Sequence, residues 1–169
     1  MAAAADEVER MLEGERRAQL GRIADAIQDR EHLFVIGRGP SYPLALEAAL
    51  KVKEVSYIHA EGFAGGDLKH GVIALIEPGT PCLVLAPNDE TYDDIMAGAM
   101  QVKARGGMLI GVSPTPHEAF DYHIPVADLG AATAILNAPP AQLLGYYVAL
   151  LRGHDPDKPR NLAKSVTVK

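Results

Sequence analysis

Between Asp6 and Asp29 the apolar residues Val8, Met11, Leu12, Ile23, Ala24 and Ile27 return at three- and four-residue steps with charges between them, the pattern of an amphipathic helix. Leu33-Phe34-Val35-Ile36 is continuously apolar and stops at Gly37-Arg38-Gly39-Pro40-Ser41, which predicts a strand covered on both faces. Pro43 suits the first turn of a helix, and Leu44 to Tyr57 is rich in the helix formers Ala, Leu, Lys and Glu. His59-Ala60-Glu61 reads as a short second strand, followed by a glycine-rich loop, Gly62 to Gly66, and a short helix from Leu68 to Ile76. The same alternation then repeats. Pro81 to Ala86 is a strand, and Tyr92 to Arg105 is a helix stopped by Gly106. Met108 to Val112 and His123 to Val126 are further strands, and Pro139-Pro140 opens a last helix ending near Arg152-Gly153.

Strands and helices in alternation need right-handed crossovers between parallel neighbours. The predicted fold class is therefore α/β, a three-layer αβα sandwich around a five-stranded parallel sheet of the flavodoxin-like kind. Its expected division is an N-terminal amphipathic helix over residues 1–30, the α/β domain over 31–153 and a C-terminal tail over 154–169.

Composition narrows the class without changing the architecture. At 48% hydrophobic and 22% charged residues the chain has enough apolar surface for one globular core. A net charge of −6 argues against a nucleic-acid backbone or an anionic membrane as the main partner. Cys82 is the single cysteine and sits in an apolar run, so neither a disulfide framework nor cysteine-ligated zinc is expected, and a reducing cytoplasmic setting is. The N-terminus turns acidic at Asp6-Glu7 before an apolar segment develops, so no signal peptide is expected. The longest apolar stretch, Ala131 to Leu151, is interrupted by Asn137, Pro139, Pro140 and Gln142 and is not expected to span a membrane.

Ligands of doubly wound sheets sit outside the carboxyl ends of the strands, which directs attention to the loops after Ile36, Ala86 and Val112. Gly37 to Ser41 leads into a helix N-terminus, where an anion is favoured. It lacks the third glycine of a dinucleotide fingerprint and the Gly-Lys-Ser/Thr ending of a phosphate loop, so a plain turn is the preferred reading. Glu47, Lys51 and Glu54 stack on one helix face at i, i+4 and i+7. By spacing alone they are a solvated stripe; because their helix begins beside a strand end, they are also a candidate for moving a proton beside a carbonyl. His59, Glu61, Lys69 and His70 flank the glycine-rich loop, without the His-Glu-x-x-His spacing of a zinc site, so no metal is expected. His70 by itself fits a surface histidine as well as a catalytic one. The tail is cationic on balance, and Pro156, Pro159, Leu162, Ala163, Val166 and Val168 favour docking, which would hold Lys164 at a fixed place.

Three separated motifs carry a resemblance. They are Lys51-Val52-Lys53-Glu54-Val55-Ser56-Tyr57-Ile58-His59-Ala60-Glu61, Leu68-Lys69-His70-Gly71, and Arg160-Asn161-Leu162-Ala163-Lys164-Ser165-Val166-Thr167-Val168. In that order they resemble the glucosamine-6-phosphate synthase family, and within it the second sugar-isomerase (SIS) domain and C-terminal tail of the isomerase half. The resemblance implies a sugar-phosphate isomerase module acting between fructose 6-phosphate and glucosamine 6-phosphate, with no cofactor. It implies that Glu54 shuttles a proton between carbons 1 and 2, that Lys51 supports the open-chain intermediate, and that His70 opens the sugar ring from a neighbouring subunit. It also implies that Lys164 contacts the sugar and forms a Schiff base with its carbonyl, with Ala163 beside it in the substrate site.

The departures are as informative. Ala2 stands where the family's glutaminase carries its cysteine, and no Ser-x-Ser-Gly-type loop is present to grip a phosphate. The expectation is a fragment or split-enzyme subunit, a homo-oligomer whose partner chain would supply the glutaminase and first SIS domain. The alternatives are a non-catalytic phosphosugar-binding SIS module and a related sugar-phosphate isomerase or deaminase.

Overall fold

The structure is a computed structural model that describes residues 2–162. Its centre is a five-stranded, all-parallel sheet in the order β2-β1-β3-β4-β5, formed by β1 (His32–Gly37), β2 (His59–Ala64), β3 (Pro81–Leu85), β4 (Met108–Ser113) and β5 (Tyr122–Pro125). The helices are α1 (Ala2–Met11), α2 (Gly14–Ile27), α3 (Ser41–Ser56), α4 (Tyr92–Lys103), α5 (Thr133–Leu136) and α6 (Ala138–Leu151).

Alternation along β1 decides the layers. Leu33 and Val35 face a core shared with α2, α3 and α6, whereas Phe34 and Ile36 face a second core built with α4. The central strands β1, β3 and β4 are buried on both faces, which is why their sequences read as continuous apolar runs. In register with β1 from His32↔His59 to Gly37↔Ala64, β2 runs through Gly62 and Phe63, which the sequence had placed in a loop. Likewise Leu68 to Ile76 forms two short 3-10 turns, Leu68–His70 and Val72–Leu75, rather than one helix.

The expected single helix over residues 1–30 is two helices. The break lies at Leu12-Glu13, and Gly14 takes a left-handed φ of +53°. Leu12, expected on the apolar face, is 46% exposed. No apolar anchor falls between Met11 and Leu20 except Leu12 and Ala18, and that gap in the period marks the break. Buried Glu7 on α1 accepts from both Arg10 and Arg16. Burial pushes its pKa up, but the two guanidiniums outweigh this and hold it below the ordinary carboxylate value.

The apolar segment Gly130–Leu151 has the length and composition of a bilayer span, yet 44% of an 18-residue stretch within it is buried inside the fold. It is interrupted at Asn137, and Leu136, Leu144 and Val148 join the core against α2 and α3.

Cys82 is fully buried on β3, and burial pushes its thiol up to about 12. A raised thiol pKa favours the folded state below the ordinary value of 9.0, and that contribution declines as pH climbs from there toward about 12. Native protein is therefore expected to leave Cys82 unlabelled by a thiol reagent at mildly alkaline pH, with labelling only on unfolding. Rapid native labelling, followed by mass spectrometry, would contradict this burial.

Candidate functional site

At the carboxyl ends of β1 and β3, where the strand order reverses direction, lies a crevice of about 360 Å³. Its wall includes Ser41, Asn88, Asp89, Glu90 and Thr133 and, among the described residues, no lysine or arginine. Two of the N–H groups that open α3 are already engaged: Ser41 donates to the Arg38 carbonyl at 3.0 Å and Tyr42 to the Gly39 carbonyl at 3.1 Å. Pro40 has no N–H to offer. Arg38 turns aside to pair with Asp94 at 3.0 Å. Carboxylates in the wall and engaged amides make a poor phosphate grip, in line with the plain-turn reading of Gly37 to Ser41.

The proton-moving candidates are not in that crevice. At about 1.5 Å of rise per residue, Glu54 lies roughly 20 Å down α3 from Ser41, near the opposite end of the sheet. Proximity of the helix start to a strand end was therefore no evidence for Glu54. What distinguishes Glu54 is its immediate surroundings. Lys51 Nζ donates to Glu54 Oε2 at 2.8 Å and lies 3.6 Å from Glu47 Oε1. The Lys51 and Glu54 side chains are 33% and 28% exposed, more enclosed than a solvated stripe requires. The hydrogen bond to Glu54, reinforced by the charges of Glu54 and Glu47, raises the Lys51 pKa above its ordinary value despite partial burial. Lys51 is thus an ammonium at neutral pH, a fixed positive charge rather than a free amine.

Glu54 is shared by two hollows of about 280 Å³ each. One is lined by Lys51, Val55, Gln142, Tyr146 and Pro156, and the other by Leu50, Lys53, Tyr57 and the tail residues Arg160 to Leu162. The described part of the tail thus packs beside Glu54. It is tethered to the end of α3, where the Arg160 N–H donates to the Tyr57 hydroxyl at 2.8 Å, and Arg152 Nη1, just before the tail at the end of α6, donates to the Ser56 carbonyl at 3.1 Å. These contacts join residues about a hundred positions apart, and no local signal in the sequence marks Tyr57 or Arg160 for them.

His70 is brought no closer to Glu54 by the fold of one chain. It ends an exposed 3-10 turn whose Leu68 is buried with Phe34 and Ile36, on the α4 side of the sheet, whereas Glu54 is on α3 on the other side. His59, at the foot of β2, places its Nδ1 3.1 Å from that of His32. Ala163 and Lys164 lie outside the described residues.

Comparison with known proteins agrees with this architecture. A family model for the SIS domain matches residues 26–152. Glutamine--fructose-6-phosphate aminotransferase [isomerizing] of Pyrococcus horikoshii is 45% identical over 153 residues, covering 89% of this chain and 26% of that protein. Among solved structures, the C-terminal domain of glucosamine-fructose-6-phosphate aminotransferase from Francisella tularensis is similar with a TM-score of 0.81 at 34% identity, covering 94% of this chain and 44% of that one. Glucosamine-6-phosphate deaminase from Thermotoga maritima gives 0.71 at 27% identity, with 89% and 45% covered. The chain spans about a quarter of the length of the curated relatives it matches. Curated relatives at 45% identity are isomerising glutamine--fructose-6-phosphate aminotransferases, and the chain itself belongs to the SIS domain family.

Proposed function

We propose that this chain is the second SIS domain of an isomerase that takes fructose 6-phosphate to glucosamine 6-phosphate, with residues 1–30 as an N-terminal cover, 31–153 as the SIS domain and 154–169 as the tail that completes the site. The observation that carries the reading is the Lys51–Glu54 pair, half-buried beside the docked tail. Enolisation needs a carboxylate over two adjacent carbons and a cation for the oxygen that gains charge. Glu54 takes the proton from carbon 1 and returns it to carbon 2, and Lys51, held as the ammonium, stabilises the intermediate's oxygen. Lys164 supplies the amine that condenses with the sugar carbonyl, releasing water, with Ala163 beside it, and ammonia then displaces the lysine amine to leave the sugar imine that is isomerised. His70 opens the ring from a second copy, because the sheet separates it from Glu54 within one chain. Exposed Leu46, Leu50, Tyr146 and Leu150 lie on α3 and α6, the layer that carries Glu54, and favour a homo-oligomer, while the free cysteine Cys82 favours a cytoplasmic enzyme. Phosphate recognition and ammonia come from a first SIS domain and a glutaminase, in the same polypeptide or a partner chain.

Borohydride trapping with fructose 6-phosphate in the completed enzyme tests this directly. Peptide mapping should place the reduced adduct on Lys164 and not on Lys51, whose amine is kept protonated. The chain alone should trap little, since it lacks the phosphate grip. An adduct at another lysine would remove Lys164 from the chemistry, and efficient trapping by the lone chain would remove the need for a partner.

A further inference from the structure

The end of α3 carries an arrangement that the reaction chemistry does not require. Tyr57 follows the last residue of α3 and takes a left-handed backbone conformation, φ 59° and ψ 17°, a position where glycine is the ordinary choice. Its own N–H closes the helix on the Lys53 carbonyl at 3.3 Å. Three contacts then converge on its side chain from the tail. The hydroxyl accepts from the Arg160 N–H at 2.8 Å, the Arg160 guanidinium lies 4.0 Å from the ring centroid, and the His154 ring packs at 4.6 Å. Asn161, directly after the clamped arginine, also has a positive φ, 62°, so the chain turns where it is held. The hollow formed by this clamp includes Glu54.

We infer that Tyr57 is a positioning residue: its ring and hydroxyl seat the C-terminal tail, through Arg160, against the Glu54 end of α3. The left-handed conformation puts a large side chain where glycine would put none, and the contacts of that side chain are with His154 and Arg160. Lys164 follows Arg160 by four residues, so the backbone between them spans at most about 14 Å from the point where Arg160 is seated. This rests on the isomerase reading only for its consequence. The seating itself is independent of that reading.

Arg160 is exposed, so tryptic cleavage of its peptide bond to Asn161 reports backbone freedom rather than burial, and Pro159 protects the neighbouring Lys158. In the full chain, Tyr57→Ala is expected to speed cleavage after Arg160 by about tenfold, because a hydrogen bond and a cation–π contact are both lost. Tyr57→Phe keeps the ring and should restore most of that protection. Unchanged hydrogen exchange in β1, β3 and β4 shows that the fold is intact in both. In the completed enzyme the same two variants should lower kcat in the same order, with KM for fructose 6-phosphate nearly constant. Cleavage after Arg160 that is no faster in Tyr57→Ala overturns the inference. Faster cleavage with unaltered turnover upholds the seating and overturns instead the placement of the tail in the reaction. Should Tyr57→Ala fail to fold, the double variant Tyr57→Phe, Arg160→Ala, which removes both the hydroxyl acceptor and the guanidinium over the ring, replaces it with hydrogen exchange of the tail: faster exchange supports the clamp, and unchanged exchange refutes it.

Discussion

Glu54→Gln in the completed enzyme should lower turnover by roughly 10²–10⁴-fold, the range supplied by a positioned general base. The amide keeps the shape of the carboxylate but cannot take a proton from carbon 1. Lys51 Nζ still finds an oxygen acceptor in the amide, so sugar-phosphate affinity should change little. Solvent-isotope exchange at carbon 1 should be lost together with turnover, since both pass through the same proton transfer. Retained turnover would return Glu47, Lys51 and Glu54 to the solvated stripe that their spacing alone allows. The mutation should not unfold the domain, because Glu54 is only half-buried and lies outside both apolar cores.

Gly37→Ala is expected to act on stability, in contrast. A Cβ at that position would fall 2.6 Å from the Ser41 carbonyl carbon and 3.1 Å from the Tyr42 nitrogen, both backbone atoms of the first turn of α3. Neither can rotate away, so β1 and α3 must separate. Overpacking of this kind costs about 3 kcal/mol. For a chain of this size that is a fall in Tm of roughly 6–12 °C, measurable by calorimetry. A Gly37→Ala protein that melts with the wild type would mean that the turn adapts, and the glycine would then need another explanation. Gly62 is held by the same helix, since a Cβ on it would fall 2.6 Å from the Ala45 carbonyl oxygen, so α3 lies directly against both strands through glycines.

These two residues show which parts of the site could be read from the chain. Glu54 and Lys51 were legible because helical spacing is local: residues three apart share a face whatever the rest of the molecule does. Their relation to the ligand crevice is not legible in the sequence, since the start of α3 is at the strand ends and Glu54 is about 20 Å away along the helix. Of the glycines after Ile36, Gly37 is explained by the close approach of α3, and Gly39 by its left-handed φ of +53° and by the Thr91 side chain, 2.9 Å from where a Cβ would fall. Gly62 looked like a loop residue and is an interior position of β2, because packing under α3 and register with Val35 override its low strand propensity.

The sequence by itself determined the layer architecture, the burial of β1, β3 and β4, the helical face carrying Glu47, Lys51 and Glu54, and the absence of a phosphate-loop signature between Gly37 and Ser41. Each follows from periodicity or from residue chemistry within a few positions. Only the tertiary structure decided that Asp89 and Glu90 line the crevice, that His70 and Glu54 lie on opposite sides of the sheet, and that Tyr57 holds Arg160 beside Glu54. Those are contacts between distant parts of the chain. They depend on the strand order and on how closely helices approach the sheet, and neither is encoded in any short window of residues.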